Sequence, residues 1–241
     1  MNDKVFDRIE KKYLIDKSQK TELLKSIQNN MHKDNYFHSD VMNIYFDNEN
    51  YDLIIQSIDR PVFKEKLRAR SYGGYNRAFI EIKTKIKGSE NNIGYKRRVM
   101  ITHDDYKELI SHRTTLEELA KRSIETSNDL QIAREADYLI NYFNLEPKIF
   151  ISYDRESYKN DENLRITFDE NLKYRTKNLV FKKEKRDKIY FKKEPNIIME
   201  IKADGVIPLW LVKKMSELHI YPQQFSKIGK VYTNIRKEQN V

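Results

Sequence analysis

The sequence predicts an α+β fold: about eight antiparallel strands closed into a barrel around a charged lumen, with helices set about it. Three observations carry that prediction. Cationic side chains recur at every second residue in Lys64, Lys66, Arg68, Arg70, in Lys83, Lys85 and in Lys96, Arg98, and Arg8 and Lys12 lie four apart about Glu10; this is the strand period and puts each set on one face. The segments that carry them are separated by short polar turns such as Tyr72-Gly73-Gly74-Tyr75-Asn76, as in a meander. Blocks of helical spacing intervene, the longest from Asp104 to Asn144. A row of cations on one face repels itself unless something negative lies among them, so the charged faces call for an enclosed lumen filled by water, counter-anions or a polyanion.

Each element is read in order. Residues 4–15 form a strand with Arg8, Glu10 and Lys12 on one side, and Leu23, Leu24 and Ile27 mark a helix from Lys17 to Asn30. Val41–Phe46 is a short strand, Asp47-Asn48 starts a helix over Tyr51–Ile58, and Pro61 ends it. Strands follow at Val62–Ser71, Arg77–Lys87 and Ile93–Ile101, the last two joined by the loop of residues 88–92. A helical insertion over residues 103–145 interrupts the sheet, with Leu116, Leu119, Ala133, Ala136, Ile140 and Phe143 at spacings of three or four. Strands resume at Lys148–Tyr158 and Leu164–Tyr174 about the turn of residues 159–163, and Tyr190–Lys192 and Ile197–Ala203 complete the sheet. The charge run Lys182–Lys188 reads as a solvated hairpin tip. A helix over Leu209–Leu218 and a polar tail close the chain. On this reading the lumen is lined by Arg8/Glu10/Lys12, Lys66/Arg68/Arg70, Glu81/Lys83, Lys96/Arg98, Tyr153/Arg155, Arg165/Thr167/Asp169 and Glu200/Lys202.

Composition narrows the chemistry. The 241 residues suit one domain (1–241) with a sizeable core, and the 12% aromatic content, 16 Tyr among it, argues for a folded body despite 34% charged residues. A net charge of +9 favours polyanionic partners. With no cysteine there are no disulfides, thiolate metal sites or Cys nucleophiles, and the five histidines lack zinc-ligand spacing. No apolar run reaches transmembrane length and the N-terminus lacks a signal peptide's apolar stretch, which places the chain in the cytoplasm by default. No phosphate-binding glycine loop is present, since Lys227-Ile228-Gly229-Lys230 lacks the first glycine, and no aromatic platform or recognition helix speaks for nucleic acid.

The order of several short motifs resembles the VTC-type (vacuolar transporter chaperone) polyphosphate polymerase domain of the triphosphate tunnel metalloenzyme, or CYTH-like, superfamily. Arg8-Ile9-Glu10-Lys11-Lys12-Tyr13 is similar to the superfamily's E-x-E-x-K strand, and Ile44-Tyr45-Phe46-Asp47 to its Tyr-Phe-Asp strand end. Lys66-x-Arg68-x-Arg70-Ser71-Tyr72-Gly73 resembles its Arg-x-Arg-x-Tyr-Gly strand, with Phe79-Ile80-Glu81-Ile82-Lys83 and Tyr95-Lys96-Arg97-Arg98 resembling the next two. Ser152-Tyr153-Asp154-Arg155, Leu164-Arg165-Ile166-Thr167-Phe168-Asp169, Met199-Glu200-Ile201-Lys202 and Phe225-Ser226-Lys227 continue the series.

The resemblance implies a tunnel barrel that transfers the γ-phosphate of ATP to a growing inorganic polyphosphate chain with Mn²⁺ or Mg²⁺. It implies catalytic phosphate contacts from Lys12, Arg68, Arg70, Lys83, Lys96, Arg155 and Lys227, substrate contacts from Tyr153, Ser226, Arg165, Lys66 and Arg98, and metal ligation by Glu200 and Glu10. A separate membrane protein is an expected partner, and nucleic acid is not. Arg8 stands where the triphosphatase branch has its first Glu, which tilts the expectation from two-metal hydrolysis toward polymerisation. A tunnel triphosphatase acting on tripolyphosphate or nucleoside triphosphate, and a non-catalytic polyphosphate or nucleotide sensor, are the alternatives. Residue by residue, a lone strand cation is most often solvated, and Glu10, Glu81 and Glu200 also read as ion-pair partners, Glu81 equally so. Tyr153 also reads as packing, and Ser226 as a turn or cap residue.

Overall fold

Alternation and capping place most elements where the sequence puts them. The computed structural model describes residues 8–59, 61–88, 92–123 and 127–239; residues 4–7 of the expected first strand, the side chain of Arg8 and most of the 88–92 loop lie outside the described residues. In chain order the elements are β1 Arg8–Ile15, α1 Lys17–Asn30, β2 His32–Asp47, α2 Asp52–Asp59, β3 Phe63–Tyr72, β4 Ala78–Lys87, β5 Asn92–Ile101, α3 His103–Ile110, α4 Leu116–Ser123, α5 Ser127–Phe143, β6 Glu146–Lys159, β7 Arg165–Arg175, β8 Lys188–Ile189, β9 Ile197–Asp204, α6 Leu209–Glu217 and α7 Lys227–Gln239. The fold is α+β. Its strand order is β1-β9-β7-β6-β2-β3-β4-β5, with β8 beside β7, and every resolved pairing is antiparallel.

The chain divides into two compact units. The first comprises Met1–Asp40, Tyr153–Lys173 and Ile189–Ser226. Its core joins Tyr13 and Ile15 of β1, Ile166 and Phe168 of β7 and Met199 and Ile201 of β9 to Leu23 and Ile27 of α1 and Leu211 and Met215 of α6. Helix α1 starts as the sequence suggests because Asp16 caps it: its Oδ1 accepts from the Gln19 amide at 2.8 Å while Gln19 Oε1 accepts from the Asp16 amide at 3.1 Å.

The second unit comprises Val41–Ser152, Tyr174–Lys188 and Lys227–Val241. Here Ile44 and Phe46 of β2, Leu67 and Ala69 of β3, Ile80 and Ile82 of β4 and Val99 and Ile101 of β5 pack against Tyr106, Leu109, Leu116, Leu119, Ala133 and Ala136 of α3, α4 and α5. The helical insertion therefore covers the apolar face of the meander, and the alternate residues of the same strands form the cationic face. The tight β3–β4 connection uses Gly74 at φ 84°, a conformation a side chain resists. Asp47 is fully buried at the end of β2, where its two carboxylate oxygens accept from the amides of Leu53 and Ile54 at 3.1 and 2.8 Å and so start α2.

Four expectations need correction. Strand β2 begins at His32, nine residues before the expected Val41, because its polar first half carries no apolar alternation from which to read it. The short strand near residue 190 is Lys188–Ile189, not Tyr190–Lys192. Lys182–Lys188 lies at the end of the loop between the paired strands β7 and β8, as a hairpin tip does, but it is not wholly solvated: Asp187 within it is buried and ion-paired to Arg175 at 2.8 Å. The polar tail is helix α7, whose Ile228, Val231, Tyr232 and Ile235 lie at spacings of three and four and are buried, with Tyr232 against Tyr51 at 5.1 Å between ring centroids. Burial of that stripe predicts that Ile228→Ala lowers unfolding free energy by about 2–4 kcal/mol in urea titration, whereas truncating a true tail would leave it unchanged.

Candidate functional site

Strand register builds the cationic face of the second unit. Opposite pairs in the β3–β4–β5 ladders are Lys64–Lys85, Lys66–Lys83–Lys96, Arg68–Glu81–Arg98 and Arg70–Phe79–Met100, with Tyr45 and Asn43 of β2 opposite Arg68 and Arg70. Like charges directly opposite one another destabilise a sheet. The one carboxylate in these rows, Glu81, is fully buried and lies at the centre. Arg68 Nε donates to its Oε2 at 2.7 Å, Arg70 Nε lies 3.8 Å from the same oxygen, and Lys96 Nζ lies 2.5 Å from Oε1. Burial alone would raise the Glu81 pKa, but the two guanidiniums and the Lys96 ammonium outweigh it and pull the pKa down to about 2. Burial in turn lowers the Lys96 pKa, with Glu81 opposing that shift.

The arginines are further fixed from β2: Arg70 Nε donates to Asn43 Oδ1 at 2.9 Å and Arg68 Nη1 to the Tyr45 hydroxyl at 3.2 Å. Arg98 lies over the Phe79 ring, 4.6 Å from its centroid. Lys66 and Lys83 stand in the row beside Lys96, Lys83 exposed and Lys66 half-buried. Lys227 is the first residue of α7.

The first unit holds a different arrangement. Glu10 is opposite Lys202 and Lys12 opposite Glu200 across the β1–β9 ladder. Lys202 Nζ lies 2.9 Å from Glu200 and 3.8 Å from Glu10, and Lys12 Nζ lies 3.6 Å from Glu10 and 4.0 Å from Glu200. The four form a square of alternating charge. Lys12 Nζ also donates to the Phe225 carbonyl at 3.4 Å, which brings Phe225 to β1. Arg155 makes a two-point contact with the fully buried Asp169 carboxylate, Nε to Oδ1 at 2.6 Å and Nη2 to Oδ2 at 2.8 Å. Burial opposes the charge on Arg155, but the Tyr153 hydroxyl, the Asp169 carboxylate and Glu200 outweigh it and raise its pKa. Tyr153 is buried with its ring 5.3 Å from that guanidinium. Arg165 is drawn elsewhere, its Nε donating to Ser157 Oγ at 3.0 Å and its Nη2 lying 3.1 Å from Asp34.

The sequence-predicted residues thus fall into two groups. Glu10, Lys12, Tyr153, Arg155, Arg165, Glu200 and Ser226 belong to the first unit, and Lys66, Arg68, Arg70, Lys83, Lys96, Arg98 and Lys227 to the second. Asn43 and Tyr45 escaped the sequence reading as arginine-positioning residues, although their alternation with buried Ile44 and Phe46 signals a face shared with Arg68 and Arg70. Among the described residues no three His, Asp or Glu side chains converge as a metal cluster. Glu10 and Glu200 are nevertheless held by the same two ammonium groups, and paired carboxylates are oxygen donors of the kind a hard divalent cation takes.

Glu81 sets a pH dependence. Its pKa is lower in the folded chain than in the unfolded one, so its contribution is complete above the ordinary carboxylate range and is lost as pH falls toward 2. Between pH 5 and pH 2 the native chain should lose about 3 kcal/mol more stability than Glu81→Gln does, measured by urea unfolding at each pH. Parallel pH profiles for the two proteins would contradict this.

A family model described as the VTC domain matches residues 7–233. No curated protein sequence matches the chain. Among solved structures, the putative adenylyl cyclase HpAC1 from Hippeastrum, described as having a dominant triphosphatase activity, is 17% identical with a TM-score of 0.56, over 94% of this chain and 96% of that one. The PH1819 protein from Pyrococcus horikoshii OT3 is 10% identical with a TM-score of 0.48, over 94% of this chain and 99% of that one. The Hippeastrum protein shares the fold. No helix among the described residues is long and apolar enough to cross a membrane. From the match, which spans β1 to α7 and takes in every motif of the charged strands, the chain belongs to the VTC domain family.

Proposed function

We propose that the chain is a polyphosphate polymerase that transfers the γ-phosphate of ATP to the end of an inorganic polyphosphate chain. The observation that carries this reading is the cationic face of β3, β4 and β5, whose rows align across three strands and whose one carboxylate is sequestered beneath Arg68, Arg70 and Lys96. Such a face binds a repeating anion. Phosphoryl transfer asks a protein chiefly for positioning and charge stabilisation. A terminal phosphate oxygen is already anionic at neutral pH, so it attacks the γ-phosphorus without a general base. The bond from that phosphorus to the bridging oxygen breaks, and ADP leaves with the electron pair.

In this reading Arg68 and Arg70, locked by Glu81, Tyr45 and Asn43, provide fixed planar contacts to phosphate oxygens. Lys66 and Lys83 are point charges on flexible stems that let a chain advance, and Lys96, paired with Glu81, adds a fixed one. Arg155, braced by Asp169, and Lys12, Tyr153, Ser226 and Lys227 add further phosphate contacts. Arg165 binds phosphate only by giving up part of its contact with Asp34 and Ser157. Glu10 and Glu200 would hold Mn²⁺ or Mg²⁺, which supplies neutralisation of phosphate charge when bound.

The two-carboxylate square favours a second reading, a triphosphatase, because Glu10 and Glu200 are a fuller acidic set than a lone ligand; the description of the Hippeastrum protein points the same way. Incubation with ATP and Mn²⁺ separates the two: a polyphosphate ladder on a gel is expected, and release of only free phosphate would establish hydrolysis. Binding without turnover across several divalent metals would indicate a sensor. Glu200→Gln and Arg68→Ala should each cut ladder formation by about 10²-fold or more, the size seen on removing one pre-organised charge contact. Glu10→Gln should leave measurable polymerisation if Glu200 is the principal ligand.

A further inference from the structure

Outside the charged strands, one cationic feature is built more firmly than a solvated loop requires. Residues 176–187 leave β7 and return to β8 around Arg175, which is almost fully buried over the Phe150 ring at 3.6 Å. Its guanidinium donates to the carbonyls of Asn178 and Val180 at 2.9 and 2.7 Å and to Asp187 Oδ1 at 2.8 Å. The other Asp187 oxygen accepts from the Glu184 amide at 2.9 Å. Leu179 and Phe181 anchor the same loop in the core. This internal frame leaves Lys182, Lys185 and Arg186 exposed and Lys183 half-buried, and a cavity of about 510 Å³ is lined by Asn178, Lys182, Lys183, Glu184, Lys185 and Arg186.

Four cations and one carboxylate around one concavity, on a backbone already held by a buried ion pair, form an anion site whose loop need not be ordered on binding. We propose that this loop is a second phosphate-chain site, binding a stretch of inorganic polyphosphate by charge neutralisation. The choice of ligand rests on the polymerase reading, whereas the site itself rests on the loop. A linear polyanion fits better than a single phosphate because the cations are strung along the loop and each gains little alone. Multivalent charge contacts of this kind weaken steeply with salt, about 0.7 in logarithmic slope per phosphate neutralised for a single-stranded polyanion.

Lysine acetylation footprinting of the intact chain, read by mass spectrometry, tests the site. With long-chain polyphosphate, acetylation of Lys182, Lys183 and Lys185 should fall several-fold, and added sodium chloride should abolish the protection. Protection at Lys83 and Lys96 in the same spectra reports separately on the strand face, so failure of the polymerase reading and failure of the loop site are told apart. Unchanged loop reactivity would overturn the site, whatever Lys83 and Lys96 show. Equal loop protection by inorganic phosphate at the same total phosphate would overturn the chain-binding claim, and stronger protection by single-stranded RNA would overturn the assigned ligand class. Loop protection that persists in Arg68→Ala would support a site independent of the strand face.

Discussion

The burial of the Glu81 carboxylate beneath three cations is the interaction on which the charged face depends. Eight cations in the aligned rows of β3, β4 and β5 would repel one another. A carboxylate at the centre changes the balance, because each of Arg68, Arg70 and Lys96 gains an attraction that offsets its own desolvation. Buried charges are costly singly and tolerable in hydrogen-bonded sets. The cluster also removes rotamer freedom from the arginines before any ligand arrives, so their order is a property of the folded strands.

The first unit solves the same problem differently. Its Glu10, Lys12, Glu200 and Lys202 alternate in sign and balance formally, and Arg155 is matched one to one by Asp169. The second unit presents a surplus of cations, and the first presents pairs.

Much of this was legible in the sequence, for definite reasons. Period-two cations located β3, β4 and β5 to within a residue or two, because each such strand has one face against helices and one face charged. The stripe of Leu23, Leu24 and Ile27 marked α1, and Asp47 marked the start of α2. The first half of β2 was not legible because pairing, not burial, keeps it extended, and pairing partners do not show in a local pattern. Helix α7 was overlooked although its apolar spacing is plain, since its many lysines and polar residues mask the stripe. At the site, Glu81 was equally an ion-pair partner or a metal ligand from sequence; its complete burial among three cations makes it a partner. That Arg165 is engaged by Asp34 could not be seen, because the two lie 131 residues apart in the chain and the first half of β2, which carries Asp34, was not read as a strand.

Core and charge occupy opposite faces of the same strands, Leu67 and Ala69 beneath the helices and Arg68 and Arg70 on the other side. Substitutions among the exposed cations of that face can therefore change its charge with little disturbance to packing. Insertion or loss of a single residue within β3 or β4 has the opposite effect. It exchanges the faces beyond that point, driving guanidinium groups into the core and leucine onto the charged face together. Evolution along these strands is open to changes of residue type and closed to changes of length, so variation in length must collect in the turns and in the helical connections.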